Sequence, residues 1–290
     1  MSSPPAVLEE RTAPISRIVP SMGLSDGSAT SQSPAPTTPI ATDAATGARN
    51  HFSVHGNAVV TGGVGTLGLK SCDALLEHGL TGLMIFDINL TESSSEIQAM
   101  REKFPHAKIA AMTVDVTAED KVAEAMEETV RILGSIEHLV CFVGLVGCVE
   151  TLEMPVSQWR QILDINTTGS FIFAQAAARQ MVKQSTGTGG RSITFIASTS
   201  AHRVDCPQPR AAYNVNKAAV LMLTSCLAAE WARYGIRTNS VSPGYTDTVL
   251  NERDGIKEHR GTGIPGKLAE AVVLLASSAG SYINGADIAV

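Results

Sequence analysis

Tyr213 and Lys217 are the residues whose types and spacing most directly predict chemistry in this sequence. They stand four positions apart in a segment with helical periodicity, so both side chains lie on one helix face about one turn apart. A phenol has an ordinary pKa of about 10 and is a poor base at neutral pH, but a neighbouring ammonium lowers that pKa. Most such pairs are solvated helix faces, but here Ala211-Ala212 and Ala218-Ala219 leave a small-residue surface around the pair. We therefore interpret Tyr213 as a proton-transfer group supported by Lys217.

Other polar side chains upstream of this helix have the types needed to hold a substrate oxygen or a water molecule. Ser198 and Ser200 follow a predicted strand, where a hydroxyl can hydrogen-bond the oxygen on which charge develops. Asn166 begins the stretch Asn166-Thr167-Thr168-Gly169, four poor helix formers inside a long helical pattern. We expect a kink there whose side-chain amide holds a water molecule for proton relay. The alternative is a strained packing point with no chemical role.

The first predicted strand runs directly into a glycine-rich turn that opens a helix, Thr61-Gly62-Gly63-Val64-Gly65-Thr66-Leu67-Gly68. Glycine permits the tight turn and lets the backbone approach a ligand, and the helix N-terminus offers free N–H groups to a pyrophosphate. The turn therefore predicts a dinucleotide site. Its candidate ligands are Thr61, Gly62, Gly65, Leu67 and Gly68.

Acidic residues end the next two predicted strands. Asp87 comes nineteen residues after Gly68, where a carboxylate can accept hydrogen bonds from ribose hydroxyls. It would also repel a 2′-phosphate, and no Arg or Lys follows it closely, so the sequence favours NAD while leaving NADP open. Asp115 and Val116 end the third strand and are candidates for the adenine site, with helix capping as the alternative for Asp115. A bound nicotinamide, being cationic, would lower the pKa of Tyr213 further.

Strands and helices alternate from about residue 56 to the last residue of the sequence. Apolar strands are predicted at 57–61, 82–87, 108–115, 139–143, 192–197, 236–241 and 286–290, and helices at 67–78, 93–104, 117–133, 157–182, 210–233 and 266–277. Buried strands separated by helices imply a parallel sheet covered on both faces. We therefore expect residues 53–290 to form a single α/β domain, a Rossmann-type doubly wound sheet.

Residues 1–52 differ in composition from the rest of the chain. Ser, Pro, Thr, Ala and Gly dominate there, as in the stretch 31–39. Such a segment cannot bury enough apolar surface to offset its ordering entropy, so we expect a disordered tail.

Charge and cysteine usage exclude several classes of function. The net charge of −6 disfavours binding to nucleic acid and to acidic membrane surfaces. No apolar run reaches the length of a membrane helix, and no secretory signal is evident. Five cysteines without C-x-x-C spacing favour reduced thiols and argue against a metal site. These observations predict a cytoplasmic, metal-free protein.

Taken together, these motifs resemble the short-chain dehydrogenase/reductase family over about residues 56–290. The resemblance depends on five elements in order, followed by Ser242-Pro243-Gly244 after a strand. The five are the turn at 61–68, Asp87, Asp115-Val116, Asn166-x-x-Gly169 and the serine with Tyr213-x-x-x-Lys217. The segments 141–144 and 207–209 are similar to fungal polyol dehydrogenases of the arabinitol and mannitol type.

The family pattern implies a role for each matching residue. Tyr213 would be the general acid/base, Lys217 would also bind the nicotinamide ribose, and Asn166 would support proton relay. Ser198 matches the serine that orients the substrate oxygen, with Ser200 as the second candidate because thirteen residues to the tyrosine is the commoner spacing. Gly144, Thr246 and Thr248 match cofactor contacts. The likeness also implies homo-oligomers.

The sequence departs from the family pattern in four places. The middle glycine of the turn falls on Thr66, and Cys141-Phe142-Val143-Gly144 replaces Asn-Asn-Ala-Gly. The segment 249–267 is short for a substrate lid, and no Asp-Gly-Gly follows the last strand. Gly144 preserves the close approach to the cofactor.

Two functions follow from these observations. The first is an NAD(P)-dependent oxidoreductase that moves a hydride between the cofactor and a small ketone or secondary alcohol. Its substrate would be a polyol/ketose pair or a polyketide or terpenoid ketone of secondary metabolism. The second is a cofactor-binding module with weak or no turnover because of the shortened lid.

Overall fold

A computed structural model describes residues 43–91, 93–184, 190–204, 207–246 and 263–290. Its strands are β1 (Asn57–Thr61), β2 (Gly82–Asp87), β3 (Lys108–Thr113), β4 (His138–Cys141), β5 (Arg191–Ile196), β6 (Ile236–Ser242) and β7 (Asp287–Ala289). Its helices are α1 (Ala44–Phe52), α2 (Thr66–Glu77), α3 (Ser94–Lys103), α4 (Glu119–Leu133), α5 (Val156–Leu163), α6 (Gly169–Lys183), α7 (Ala211–Trp231) and α8 (Pro265–Ala276).

The described strands form one seven-stranded parallel sheet in the order β3-β2-β1-β4-β5-β6-β7. The strand order therefore switches at β1, because β2 and β3 are added on one side of it and β4 to β7 on the other. At this point the carboxyl end of β1 lies beside its neighbours, with Thr61 opposite Phe86 and Cys141. In open α/β sheets, ligands bind in the crevice outside the strand carboxyl ends at such a switch point.

Apolar strands buried on both sides explain why the sheet needs two helical layers. Leu75 of α2 and Val272 of α8 belong to a core cluster on one face, where α3 also packs. Phe173 of α6 and Leu227 of α7 belong to a second cluster on the other face, together with α4. Full burial of one such side chain contributes about 1.5–3 kcal/mol. The predicted doubly wound α/β fold is therefore confirmed.

The helix α1 corrects the tail prediction at its C-terminal end. Residues 44–52 were expected to be disordered, but they form a helix that begins at Asp43, whose carboxylate accepts a hydrogen bond from the Thr46 backbone at 2.9 Å. The helix contacts the turn Ser278–Gly280, so tertiary packing adds to this cap. Residues 1–42 lie outside the described residues.

The predicted kink at Asn166 is a π-helical turn. Asp164–Thr168 joins α5 to α6, so the expected long helix is divided at the stretch of poor helix formers.

The third strand, β3, is shorter than expected. It ends at Thr113, two residues before the boundary predicted at Asp115.

The expected lid, 249–267, falls mostly outside the described residues, which resume at residue 263. Gly263 pairs with Thr246 in an isolated parallel bridge. Residues 265–267 form the first turn of α8 rather than part of a lid, which corrects that boundary. Pro265 occupies the first helical position, where its missing N–H costs nothing. β7 then pairs with β6, and Val290 O accepts a hydrogen bond from Gly244 N at 2.7 Å.

Candidate active site

Two glycines of the glycine-rich turn lie too close to neighbouring backbone atoms to be replaced by a residue with a side chain. Gly62 has φ +64°, and a Cβ there would lie 2.8 Å from the backbone nitrogen of Val143. A Cβ on Gly68 would overlap the carbonyl oxygen of Gly62. Both positions therefore require glycine, and the turn keeps an open backbone cradle.

The first turn of α2 lies above this cradle. Gly65 is its N-cap and supplies no side-chain hydrogen bond, so the first N–H groups of the helix keep their capacity to donate. Those N–H groups and the positive end of the helix dipole suit a pyrophosphate. The residues present therefore fit the phosphate end of a dinucleotide cofactor, with Thr61 buried beneath them.

A cavity of about 340 Å³ extends from this turn to the predicted catalytic residues. One end is lined by Gly62, Gly65, Leu67 and Gly68, and the other by Ser198, Ser200, Tyr213, Lys217 and Thr246. Gly144 also lines this cavity, and a Cβ there would lie 3.5 Å from Lys217 Nζ. The structure thus brings residues separated by about 150 positions into one cleft at the carboxyl ends of the strands.

Lys217 is held in place by the strand beside it. Its Nζ donates to the carbonyl oxygen of Ile196 at 2.7 Å and lies 5.7 Å from the centroid of the Tyr213 ring. Burial lowers the pKa of Lys217 to about 8, because the charged form loses its hydration. The ammonium therefore lies beside the phenol that it was predicted to support.

Both candidate serines lie in the cavity wall, and they contact each other. Ser198 caps a short turn after β5, accepting from the Ser200 backbone at 3.2 Å and donating to the Ser200 hydroxyl at 3.0 Å. Both side chains are buried. The bond between the two hydroxyls uses one of their two hydrogens, so one serine of the pair at a time can donate to a substrate oxygen.

Asn166 is oriented by protein groups. Its Oδ1 accepts from Leu145 N at 2.6 Å, and its Nδ2 donates to Leu145 O at 2.8 Å and to Asn216 Oδ1 at 2.9 Å. Both amide hydrogens are thus used within the protein, and the role of this amide in holding a water molecule for proton relay stays a prediction. The amide also fixes the loop that follows Gly144.

Sequence reasoning missed Asn216. It lies one residue before Lys217 on α7, is fully buried, and donates through Nδ2 to Ala212 O at 2.8 Å. The sequence could have indicated this residue, because Asn214 and Asn216 stand between Tyr213 and Lys217. An amide that is buried in a helix needs hydrogen-bond partners.

The acidic residues predicted for the adenosine end line a second cleft that shares Gly62, Gly65 and Gly144 with the first. Asp87 accepts from Ile88 N at 2.8 Å through Oδ1. Asp115 accepts from the backbone and hydroxyl of Thr117, and these bonds lower the pKa of the Asp115 carboxyl. Asp115 does not cap α4, whose N-cap is Ala118, so the helix-capping alternative is not found. Its role at the adenine stays a prediction, and Val116 is buried beside it.

Two threonines were expected at the nicotinamide end. Thr246 is buried, lines the cavity and donates to Gly244 O at 3.2 Å. Thr248 lies outside the described residues. Arg210 and Tyr245 also line the cavity, and neither was predicted from the sequence.

Cys141, which replaces the first family asparagine, is buried at the end of β4. Burial raises the pKa of its thiol to about 12, so it packs as a neutral side chain. Within the described residues no group of three or more His, Cys, Asp or Glu side chains is placed to hold a metal ion. The described helices also include none long and apolar enough to cross a membrane.

A doubly wound sheet with a phosphate cradle at its switch point and a Tyr–Lys pair in the same cleft defines a dinucleotide-dependent oxidoreductase. Residues 63–290 match the family model described as enoyl-(acyl carrier protein) reductase. The chain belongs to the short-chain dehydrogenase/reductase family. It is an oxidoreductase that transfers a hydride between a nicotinamide cofactor and a ketone or secondary alcohol.

Similar proteins and a similar solved structure support this assignment. The chain is 30% identical to the 2-dehydro-3-deoxy-D-gluconate 5-dehydrogenase of Escherichia coli over 251 residues, 82% of this chain and 95% of that protein. It is 33% identical to a sorbose reductase of Schizosaccharomyces pombe over 251 residues, 82% of this chain and 96% of that protein. A solved short-chain type dehydrogenase/reductase from Mycobacterium marinum matches with a TM-score of 0.78 and 33% identity, covering 83% of this chain and 96% of that one. Each is named for oxidoreductase activity, so none favours the cofactor-binding module.

Proposed function

We propose that this protein is an NAD-preferring dehydrogenase/reductase of sugar-derived substrates, with Tyr213 as the group that exchanges a proton with the substrate oxygen. The observation that carries the proposal is the placement of the Lys217 ammonium 5.7 Å from the Tyr213 ring in the cavity that begins at the glycine-rich turn. Two relatives are named for sugar-derived substrates, a deoxy-ketogluconate and sorbose.

The proposed proton transfer needs a phenol that ionises near neutral pH. Lys217 stabilises the phenolate by its charge, and its own position is fixed by Ile196 O. In the reductive direction the Tyr213 hydroxyl donates its proton to the substrate oxygen, and in the oxidative direction the phenolate accepts it. The hydroxyl of Ser198 or Ser200 donates a hydrogen bond to the same oxygen and orients it.

Residues at both ends of the cavity would hold the cofactor. The turn at Gly62–Gly68 and the α2 N-terminus would take the pyrophosphate, and Lys217 and Thr246 would contact the nicotinamide end. When bound, the nicotinamide supplies or accepts the hydride. Asn166 supports this arrangement by fixing the loop at Gly144 and Leu145.

The preference for NAD follows from the charge at the end of β2. Asp87 lines the adenosine cleft, and Ile88, Asn89, Leu90 and Thr91 follow it without a cation. A carboxylate there favours ribose hydroxyls and repels a 2′-phosphate. Comparing kcat/KM with NADH and with NADPH tests this preference.

The proposal also includes a cytoplasmic location and a homo-oligomer. The four described cysteines are free thiols, and two of them are buried, as in a reducing compartment. Val215 and Met222 lie seven positions apart on α7 with 48% and 65% of their surface exposed, so they offer an apolar face to a second copy.

The experiment that tests the proposal compares Tyr213→Phe with Tyr282→Phe, an exposed tyrosine outside the cavity wall. We expect Tyr213→Phe to lose about 10²–10⁴-fold in kcat on a panel of ketoses and secondary-metabolite ketones, because it loses its proton donor. Its NADH binding, followed by fluorescence, stays within about twofold of wild type. Unchanged turnover in Tyr213→Phe would reject the mechanism. Tight NADH binding by the wild type with no turnover of any ketone would reject the function.

A further inference from the structure

We propose that His202 is a positioning residue for the reaction: its bond to Asp287 fixes the turn that carries Ser198 and Ser200, and thereby the substrate oxygen that they orient. The inference depends on the proposed function, because those serines act on the substrate of the same cavity. His202 lies outside the described cavity wall, so it acts through the serines and not on the substrate itself.

The turn that carries the serines is a single 3₁₀ turn, Thr199–Ala201, which follows β5. Ser198 is its N-cap and Ser200 lies within it, and both line the cavity. His202 is its C-cap, and the His202 backbone nitrogen donates to Thr199 O at 3.1 Å. The hydrogen bonds of a 3₁₀ turn have poorer geometry than those of an α-helix, so the position of this turn depends on its attachments to the sheet.

Two tertiary hydrogen bonds attach the turn to the sheet, one at each end. At its start, Thr199 N donates to Pro243 O at 3.0 Å, just after β6. At its end, His202 Nε2 lies 2.9 Å from Asp287 Oδ2 of β7. A carboxylate only accepts hydrogen bonds, so Nε2 is the ring nitrogen that carries the hydrogen and donates it. The side chain of His202 thus joins the far end of the turn to the last strand.

Asp287 is itself held by two buried serines of the neighbouring strand. Its Oδ1 accepts from Ser240 Oγ at 2.6 Å and from Ser242 Oγ at 2.9 Å. Asp287 lies opposite Ser240 in the pairing of β6 with β7. Both carboxylate oxygens therefore have partners, and a network whose members are satisfied holds its groups in place. His202 thus bonds to an acceptor that the sheet has already positioned.

The exposure of the pair indicates that its loss affects catalysis more than stability. The His202 and Asp287 side chains keep 47% and 19% of their surface exposed, and such partly solvated pairs contribute little to the free energy of unfolding. A displacement of about 1 Å in a group that positions the substrate can lower the rate about 10²-fold. The turn at Gly62–Gly68 lies at the other end of the cavity, so NADH binding does not depend on the pair.

The test compares His202→Ala and His202→Gln with wild type. The Gln side chain ends in an N–H donor that can replace Nε2, whereas Ala removes the bond. His78→Ala is the matched control, because His78 is an exposed histidine with a side-chain bond to Ala74 O at 2.8 Å and lies outside the described cavity wall. We would measure kcat and KM with NADH and the substrate that wild type reduces fastest in the panel of ketoses and secondary-metabolite ketones.

A second measurement asks whether His202 acts through the serines. His202→Ala is combined with the double variant Ser198→Ala, Ser200→Ala, which removes both candidate donors. Because Tyr213 and Lys217 are unchanged, this double variant keeps a residual turnover that a higher enzyme concentration makes measurable. Substitutions that remove the same interaction are not additive, so the combined variant shows whether the serines carry the effect of His202.

We expect His202→Ala to lower kcat about tenfold and His202→Gln to recover most of that loss, because the turn is displaced only when the bond is absent. NADH affinity, followed by fluorescence, and the thermal unfolding temperature should match those of His78→Ala. In the background without the two serines, His202→Ala should change kcat less than about twofold.

Three results would overturn the inference while the proposed function stands. They are an unchanged kcat in His202→Ala, a loss that His202→Gln does not recover, and a loss of the same size with and without the two serines. Full turnover by the double serine variant overturns the proposed role of the serines together with this inference. No turnover of any ketone by wild type overturns the proposed function as well.

Discussion

Asn166 Nδ2 donates to Asn216 Oδ1 at 2.9 Å, which joins the π-helical turn to α7 one residue before Lys217. The same Asn166 amide holds both backbone groups of Leu145, on the loop that contains Gly144. One buried side chain thus ties together three chain segments around the cavity. Such a network fixes the positions of neighbouring groups when every member is satisfied.

The first prediction concerns this amide. Replacing Asn166 with Ala should reduce kcat about 10- to 100-fold and destabilise the protein by about 1–3 kcal/mol, because the Leu145 backbone and Asn216 lose buried partners. Steady-state kinetics and urea unfolding measure the two effects. Asn284→Ala is the matched control, since Asn284 also bonds two backbone groups, Thr238 N and Ala228 O, away from the cavity. If both variants lose stability and kcat equally, Asn166 has no role beyond folding.

The second prediction concerns the cradle. Gly68→Ala should weaken NADH binding at least about tenfold, because its Cβ would meet the Gly62 carbonyl and displace the turn. Gly266→Ala is the control, since a Cβ at that helical position meets no atom within 4 Å. Fluorescence titration with NADH measures the affinity of both variants for the cofactor. Equal NADH affinity in the two variants would place the pyrophosphate elsewhere.

The third prediction concerns cofactor choice. Asp87→Ala should narrow the ratio of kcat/KM for NADH over NADPH at least about tenfold, because removing the carboxylate removes both the ribose acceptor and the repulsion of a 2′-phosphate. Asp120→Ala makes the same change in net charge on the exposed start of α4 and should leave the ratio unchanged. A ratio that does not move in Asp87→Ala excludes Asp87 as the ribose ligand.

The fourth prediction follows from the buried ammonium. With a pKa of about 8, Lys217 loses its charge as pH rises through that value in the protein without ligands. We expect kcat/KM to decline above about pH 8, because neutral Lys217 no longer stabilises the phenolate. A kcat/KM that stays flat from pH 7 to 10 would contradict the assignment.

The same titration has a defined effect on stability. An unfolded lysine has a pKa of about 10.4, so between about pH 8 and 10.4 the unfolded chain binds more protons at this residue than the folded protein. The contribution of Lys217 to the unfolding free energy therefore rises with pH across that window. Urea unfolding at pH 7 and 9.5 should show wild type gaining relative to Lys217→Met, and a change of opposite sign would reject the lowered pKa.

The sequence by itself determined the fold and most of the cavity. Apolar strands alternating with helices favour a covered parallel sheet, and four glycines at a strand-to-helix junction predict the tight turn at Gly62–Gly68. The Tyr213–Lys217 pair was predictable because helical spacing fixes which side chains share a face.

Only the tertiary structure decided what depends on neighbours distant in sequence. Sequence spacing alone does not place Arg210 in the cavity wall or Asn216 beside Asn166, because both positions depend on segments distant in sequence. The same holds for α1, where packing against the turn at 278–280 overrode a composition typical of disorder. Asn166 was predicted as a kink, but its partners at Leu145 and Asn216 depend on the packing of three segments. Local propensity and spacing act within one turn or one strand, whereas burial and charge environment are properties of the assembled chain.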